Sequence, residues 1–221
     1  MSKINKDIIE AVIFDMDGLL VNSEPCWHKA EKIVFGKVGL EFSTENCLET
    51  TGKPVKEVIQ YWFQRKPWPN PDFDQMESDL FAEATEAIKT EASLMPGLRE
   101  AVGLAKNKNW KVGLASASPI NMIGMVLKKF DLTENFDFFH SAELEEFNKP
   151  HPAVYLTVAK VLGVPIENCL ILEDSGGGVK GAVASGAQVV AVPGHHELED
   201  PKFNIANLKI KSLEDLESVL T

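Results

Sequence analysis

The feature that most constrains the fold of this chain is a series of short apolar runs, each bounded by turn-forming residues. There are six of them: AVIF at 11–14, KVGLAS at 111–116, FDFF at 136–139, CLIL at 169–172, QVVAV at 188–192 and LKI at 208–210. Several are continuously apolar instead of alternating, which is typical of strands buried on both faces. The sequence therefore predicts a parallel sheet covered by helices.

Helical segments lie between these runs, and proline or glycine marks where they begin. We predict them at 97–108, 120–130, 151–163 and 178–186. Proline is well placed at a helix start because its missing N–H would have no partner there. The alternation of strand and helix predicts an α/β fold with a doubly wound, Rossmann-like core.

The stretch 22–96 breaks this alternation. It contains helical segments such as WHKAEKIVFGKVG and FDQMESDLFAEATEAIKTEA, and no convincing buried strand. We therefore predict an all-helical domain, residues 22–96, inserted into an α/β core domain made of residues 1–21 and 97–221. A chain of 221 residues, 44% hydrophobic and 25% charged, is large enough for one domain with a smaller insert.

Acidic and hydroxyl side chains follow three of the predicted strands. Asp15 and Asp17 end the first strand, Ser116 begins the SAS stretch that ends the second, and Glu173 and Asp174 end the fourth. Ligands bind open α/β sheets at the carboxyl ends of the strands, so we expect these side chains to converge. Converging carboxylates repel one another, and Mg²⁺ removes that conflict because it prefers carboxylate oxygens.

A phosphate site is predicted at the same edge. The Ser116 hydroxyl, backbone N–H groups and Lys149 supply the donors that a phosphate needs. A carboxylate held by Mg²⁺ could attack phosphorus, and a second one, two residues on, could protonate the leaving oxygen and then activate water. Each residue by itself could instead cap a turn or a helix, or be solvated; their occurrence together favours phosphoryl transfer.

Four motifs, in order, resemble those of the haloacid dehalogenase superfamily: VIFDMDGLLVNSEP, GLASASP, the KPHP that begins at Lys149, and LILEDS. The stretches LVNSEPCW, MPGLREAV and NKPHPAVYL are similar to β-phosphoglucomutase-like sugar phosphatases of the 2-deoxyglucose-6-phosphatase or hexitol phosphatase type. The resemblance implies a Mg²⁺-dependent phosphatase that hydrolyses a small hexose or hexitol phosphate through an aspartyl-phosphate intermediate. The helical insert would be a cap that closes over the substrate.

The resemblance also implies a role for individual residues. Asp15 would be the nucleophile and Asp17 the general acid and base. Mg²⁺ would be bound by Asp15, the backbone carbonyl of Asp17 and Asp174, with Glu173 close by.

Further residues are implied as ligands of the substrate. The phosphate ligands would be Ser116, the amide of Ala117, and Lys149. In the cap, the candidates for contact with the substrate are Glu24, Trp27 and Lys53.

One residue and one three-residue stretch depart from the family pattern. Asn22 stands where relatives usually have Asp, and Gly176, Gly177 and Gly178 replace a more ordinary loop after the acidic pair. The three glycines predict a more mobile loop. Neither change removes a catalytic group, so both bear on substrate preference.

Three other functions are compatible with the sequence. A phosphomutase of the β-phosphoglucomutase type would share all four motifs, but such mutases carry a cap histidine where this chain has Trp27 and a lysine where it has Pro119. A dinucleotide-binding protein would use the GxGxxG match at 176–181, although Glu173 and Asp174 directly before it would repel a pyrophosphate. An inactive binding module would have kept the fold and lost the chemistry.

Net charge and cysteine content indicate which partners and which cellular compartment the protein has. The formal net charge is −11, without a Lys/Arg run, which argues against a nucleic-acid or anionic-membrane surface. Three widely spaced cysteines and the absence of a CxxC favour reduced thiols in a cytoplasmic protein. We expect no signal segment, no membrane span, and a monomer whose partner is a small phosphorylated sugar.

Overall fold

The computed structural model describes residues 4–220, which form two compact units. The first unit takes the chain up to Asn22 and from Leu94 onward, and the second is Ser23–Ser93. The sequence placed the boundaries after residues 21 and 96, and the role of the insert as a cap stays a prediction.

A six-stranded parallel sheet lies at the centre of the first unit. Its strands are β1 (Ala11–Phe14), β2 (Lys111–Ser116), β3 (Phe138–Ser141), β4 (Cys169–Glu173), β5 (Gln188–Ala191) and β6 (Leu208–Lys209). Their order across the sheet is β3-β2-β1-β4-β5-β6. The order reverses between β1 and β4, which is the point where doubly wound folds bind their ligands.

Register brings the ends of the central strands level with one another. Phe14 of β1 pairs with Leu114 of β2 on one side and with Leu172 of β4 on the other. The residues that follow these three therefore leave the sheet at the same edge. Both faces of β1 and β4 are buried, as their continuous apolar runs predicted.

Five helices of the first unit connect these strands or follow them. They are α5 (Leu98–Asn107), α6 (Ile120–Lys129), α7 (Ala153–Leu162), α8 (Gly176–Ser185) and α9 (Leu216–Leu220). α7 and α8 contribute to one hydrophobic core with the strands, in which Val158, Val179 and Ile171 are fully buried.

Two predicted elements differ from the structure. β3 begins two residues later than the FDFF run, because Asp137 already hydrogen-bonds Val112 through its backbone N–H and its carboxylate, and Phe136 packs edge to face on Phe14 instead of extending the strand. The three glycines at 176–178 form the first turn of α8 rather than a mobile loop, since Ser175 Oγ accepts the Gly178 N–H at 3.0 Å as an N-cap.

The second unit is helical throughout its regular structure. Its helices are α1 (Glu24–Lys37), α2 (Thr44–Thr50), α3 (Val55–Arg65) and α4 (Phe73–Glu91), and residues 23–93 contain no strand. Its core is aromatic: Trp62 and Trp68 are buried, and Phe35 stacks on Phe42 with ring centroids 4.3 Å apart. Within residues 4–220 no helix combines the length and the apolar character that crossing a membrane needs.

Candidate active site

Three carboxylates meet where β1 and β4 end. Asp15 follows β1, Glu173 is the last residue of β4, and Asp174 comes next; one oxygen of each lies within 4.8 Å of the others. The backbone sets this geometry, since Asp15 N donates to Leu172 O at 3.0 Å and so extends the β1–β4 pairing by one residue. Asp15 is 5% exposed and Glu173 is fully buried.

Lys149 binds two of these carboxylates from the segment before α7. Its Nζ donates to Asp15 Oδ1 at 2.6 Å, to Glu173 Oε1 at 2.6 Å and to the backbone oxygen of Ala115 at 3.0 Å. The side chain is 8% exposed, so these hydrogen bonds are shielded from water. Burial by itself lowers the pKa of Lys149, but the two carboxylates more than offset it and raise this pKa well above the usual value.

The charges of the cluster do not balance, because one ammonium faces three carboxyl groups. Burial, with Glu173 next in effect, raises the pKa of Asp15 to about 8. Burial, together with Asp15 and Glu173, raises the pKa of Asp174 well above its usual value. Asp174 Oδ1 is buried and has no hydrogen-bond partner among residues 4–220.

Such a donor set fits a hard divalent cation. A cation would restore the ionised form of Asp15 and give the Asp174 oxygen a partner, and carboxylate oxygens are what Mg²⁺ prefers. The cofactor prediction is thus supported in its coarser form, a group of acidic residues able to hold a metal.

Glycine is required where the chain passes Asp174. Gly18 has φ +77°, and a Cβ there would lie 2.0 Å from Asp174 Oδ2. Gly178 is similarly close on the other side, where a Cβ would lie 2.0 Å from Glu173 Oε2. Only glycine permits both approaches, so these two positions help to determine where the carboxylates lie.

Asp17 is held by the loop that follows β2. Ser118 Oγ donates to Asp17 Oδ2 at 2.6 Å, and Ser118 N donates to Ser116 Oγ at 3.0 Å. Ser116 therefore accepts from the backbone and keeps its own proton for another acceptor. Ser141 Oγ, at the end of β3, donates to Ser118 O at 2.6 Å and fixes the same loop.

The structure brings together most of the residues that the sequence singled out. Lys149 joins Asp15 to Glu173 and Asp174 is adjacent, while Ser118 joins Asp17 to Ser116, with Ala117 between the two serines. Their individual roles stay predictions.

The three candidate substrate contacts belong to the second unit. There Glu24 Oε1 lies 3.6 Å from His28 Nε2, and Trp27 packs edge to face on Phe81 with centroids 5.9 Å apart. Lys53 is exposed, 5.9 Å from the Tyr61 ring centroid. Contact with a substrate remains a prediction for each of them.

Two residues of the site were missed by the sequence analysis. Ser118 was read as part of a motif without a role of its own. Tyr155, fully buried in α7, donates through its hydroxyl to Glu173 Oε1 at 2.6 Å. The available signal was a phenol on an apolar helix, since a buried tyrosine hydroxyl needs a partner.

The chain is similar over most of its length to known enzymes. It matches the family described as haloacid dehalogenase-like hydrolase over residues 12–192. It is 42% identical over 209 residues to hexitol phosphatase B of Escherichia coli (strain K12), which is 94% of this chain and 94% of that protein.

Solved structures share the architecture. CbbY from Rhodobacter sphaeroides, in complex with phosphate, gives a TM-score of 0.82 at 25% identity, covering 96% of this chain and 99% of that one. β-Phosphoglucomutase from Clostridium difficile gives 0.79 at 25% identity, covering 96% and 97%. The predicted fold class, an α/β parallel-sheet core, is confirmed.

Proposed function

Because the chain belongs to the haloacid dehalogenase-like hydrolases, we propose that it is a Mg²⁺-dependent phosphatase that hydrolyses a hexose or hexitol phosphate through an aspartyl phosphate on Asp15. The observation that carries the proposal is the group formed by buried Asp15, Lys149 and Glu173 with half-buried Asp174, at the reversal of strand order. The substrate class is supported by 42% identity to a hexitol phosphatase across 94% of both chains. The predictions of family and of a phosphatase are confirmed.

The first step is transfer of the phosphoryl group to Asp15. Lys149 holds the Asp15 carboxylate by a hydrogen bond to Oδ1. Its positive charge would lie next to an oxygen of the bound phosphate and stabilise the charge there. Ser116 Oγ, at the end of β2, and the Ala117 amide, directly after it, are the further phosphate donors. Mg²⁺, held by Asp15, the Asp17 carbonyl and Asp174, would offset the negative charge that develops on the phosphoryl oxygens.

Asp17 moves the protons. It protonates the leaving sugar oxygen and then takes a proton from the water that hydrolyses the aspartyl phosphate. The hydrogen bond from Ser118 Oγ to Asp17 Oδ2 fixes the carboxyl for both transfers.

The test is phosphate release from a panel of phosphorylated sugars and sugar alcohols with Mg²⁺. We expect hexose or hexitol phosphates to be the best substrates, and Asp15→Asn to abolish turnover because it removes the nucleophile. The matched control is Asp131→Asn, at an exposed position of the same unit, which should keep full activity. An Asp15→Asn variant near the wild-type rate would refute the assignment.

A second candidate is a phosphomutase, which the likeness to β-phosphoglucomutase over 96% of this chain favours. It predicts isomerisation of glucose 1-phosphate when a bisphosphate primer is present. Hydrolysis without isomerisation under those conditions excludes it.

The proposal extends to the setting of the enzyme. Residues 22–96 act as the cap over the substrate, with Glu24, Trp27 and Lys53 as its contacts, and the protein is a cytoplasmic monomer. Size-exclusion chromatography with light scattering measures the oligomeric state, and a stable dimer would contradict this part.

A further inference from the structure

Tyr155 is a fully buried phenol beside the carboxylate cluster. Its hydroxyl lies 2.6 Å from Glu173 Oε1 and 3.1 Å from Gly178 O. A hydroxyl has one proton, and a carboxylate accepts it more strongly than a neutral carbonyl does. The Tyr155 proton therefore goes to Glu173.

One oxygen of Glu173, Oε1, thus accepts hydrogen bonds from two donors. Lys149 Nζ and the Tyr155 hydroxyl both lie 2.6 Å from Oε1, whereas Oε2 has only the longer contacts to Ser175, at 3.3 and 3.4 Å. Lys149 Nζ also lies 5.0 Å from the centroid of the Tyr155 ring, within cation–π range. Tyr155 contacts both members of the Lys149–Glu173 ion pair.

Two carboxylates, those of Asp15 and Glu173, compete for the Lys149 ammonium. Lys149 holds Asp15 and, on the proposed function, binds the transferred phosphoryl group, while fully buried Glu173 attracts the same ammonium. A second donor on Glu173 Oε1 satisfies part of that carboxylate's charge and weakens its hold on Lys149.

We propose that Tyr155 is a positioning residue for phosphoryl transfer. Its hydroxyl donates a hydrogen bond to Glu173 Oε1 and weakens the attraction between Glu173 and Lys149, so that Lys149 stays available to Asp15 and to phosphate. The proposal rests on the proposed function, and the quantity that it predicts is the affinity of the site for phosphate. Tyr155 itself need not touch the substrate.

The test compares Tyr155→Phe with the wild type. The change removes one oxygen and keeps the ring, so the core packing of α7 is retained. We expect inorganic phosphate, titrated calorimetrically at saturating Mg²⁺, to bind about tenfold more weakly, the size of one hydrogen bond to a charged group. We expect kcat/KM for the sugar phosphate to fall by a similar factor.

The matched control is Tyr61→Phe in the second unit. Tyr61 also donates its hydroxyl to a glutamate, Glu49 Oε2 at 2.9 Å, but on the surface. This variant should leave phosphate affinity and turnover unchanged. If Tyr155→Phe only lowers the melting temperature and binds phosphate like the wild type, Tyr155 is a packing residue and the proposal is wrong.

Glu173→Gln tests the same idea with the opposite sign, and it serves if Tyr155→Phe does not fold. The neutral amide attracts Lys149 less, so phosphate should bind more tightly than in the wild type; weaker binding would overturn the proposal. If the wild type binds phosphate yet releases none from any sugar phosphate, the proposed function fails separately, and the binding comparison still decides the role of Tyr155.

Discussion

Asp17 accepts a hydrogen bond from a hydroxyl in the loop after β2. Ser118 Oγ reaches Asp17 across 101 positions of sequence, and Ser118 is itself fixed by Ser141, whose Oγ donates to its backbone oxygen at 2.6 Å. On the proposed mechanism Asp17 gives and then takes a proton, which works best when the orientation of its carboxyl does not vary. Ser118 supplies that restraint without taking part in the chemistry.

We therefore expect Ser118→Ala to lower kcat by about tenfold, the effect of losing one hydrogen bond to a charged group, with little change in KM. Steady-state kinetics with the best sugar phosphate measures both constants. Ser218→Ala removes an exposed hydroxyl that donates to Asp215 O at 2.7 Å, and it should change neither constant. A Ser118→Ala enzyme with normal kcat would show that Asp17 needs no such restraint.

Gly18 gives a second prediction at the scale of one residue. In Gly18→Ala the new Cβ would lie 2.0 Å from Asp174 Oδ2 on a backbone with φ +77°, so Asp174 must move. We expect the apparent affinity for Mg²⁺ to fall at least about tenfold, as judged from activity and from calorimetric titration.

Gly124→Ala is the control for that variant. It lies in α6, and a Cβ there meets nothing within 4 Å. It should keep full affinity for Mg²⁺ and gain slightly in stability. Equal affinities in the two variants would show that Asp174 does not bind the metal.

The residues of the site differ in how far sequence could predict them. Asp15, Asp17 and Asp174 follow buried strands, so strand prediction and motif order were enough to bring them to one edge. Tyr155 and Ser118 could not be assigned, because their roles depend on partners 18 and 101 positions away whose approach only the folded chain reveals.

At the scale of elements, β1 and β2 were predicted to the residue, because the runs at 11–14 and 111–116 coincide with the strands Ala11–Phe14 and Lys111–Ser116. β3 was placed two residues early, since Phe136 is apolar for packing and not for strand pairing. At α8 the low helix propensity of glycine predicted a loop. Two features outweighed that propensity: the N-cap hydrogen bond from Gly178 N to Ser175 Oγ, and the need for glycine where the helix passes Glu173.

The helix α1 carries a buried acid that makes the stability of the second unit depend on pH. Glu31 is 9% exposed, and its Oε2 has no hydrogen-bond partner within the part of the chain that the structure describes. Burial raises the pKa of Glu31 to about 7, against about 4.3 in an unfolded chain. Between these values the native state binds more protons than the unfolded state, so the free energy of unfolding falls as pH rises.

We expect Glu31→Gln to remove this fall. The variant should be more stable than the wild type at pH 8, by at most about 4 kcal/mol, and the gain should vanish below about pH 4. Urea unfolding followed by tryptophan fluorescence reports mainly on this unit, which contains Trp27, Trp62 and Trp68. The exposed Glu41→Gln is the control; parallel pH curves for Glu31→Gln and the wild type would contradict the prediction.

At the scale of the whole molecule, the order of the strands explains why chemistry is concentrated in one place. β1 and β4 are distant in sequence but adjacent in the sheet, and the order reverses between them. Side chains that leave both strands share one crevice. An acidic chain, with a formal net charge of −11, thus brings three carboxylates, those of Asp15, Glu173 and Asp174, to one place where a single cation can bind.

Binding of that cation should stabilise the entire fold, because it binds the native state and not the unfolded chain. We expect Mg²⁺ in the millimolar range to raise the melting temperature by several degrees, and EDTA to reverse the shift. Asp174→Asn should lose the shift while Asp131→Asn keeps it, as measured by differential scanning fluorimetry. A shift of normal size in Asp174→Asn would place the metal elsewhere.

The pairing of Asp15 with Lys149, 134 positions further along the chain, also has a consequence for biosynthesis. Translation produces Asp15, the proposed nucleophile, before Lys149, and β4 and α8, which complete the surroundings of this pair, come later still. A nascent polypeptide that has reached Asp15 but not Lys149 therefore lacks the ammonium that holds this carboxylate. The proposed catalysis thus depends on segments that the ribosome adds long after the residue they serve.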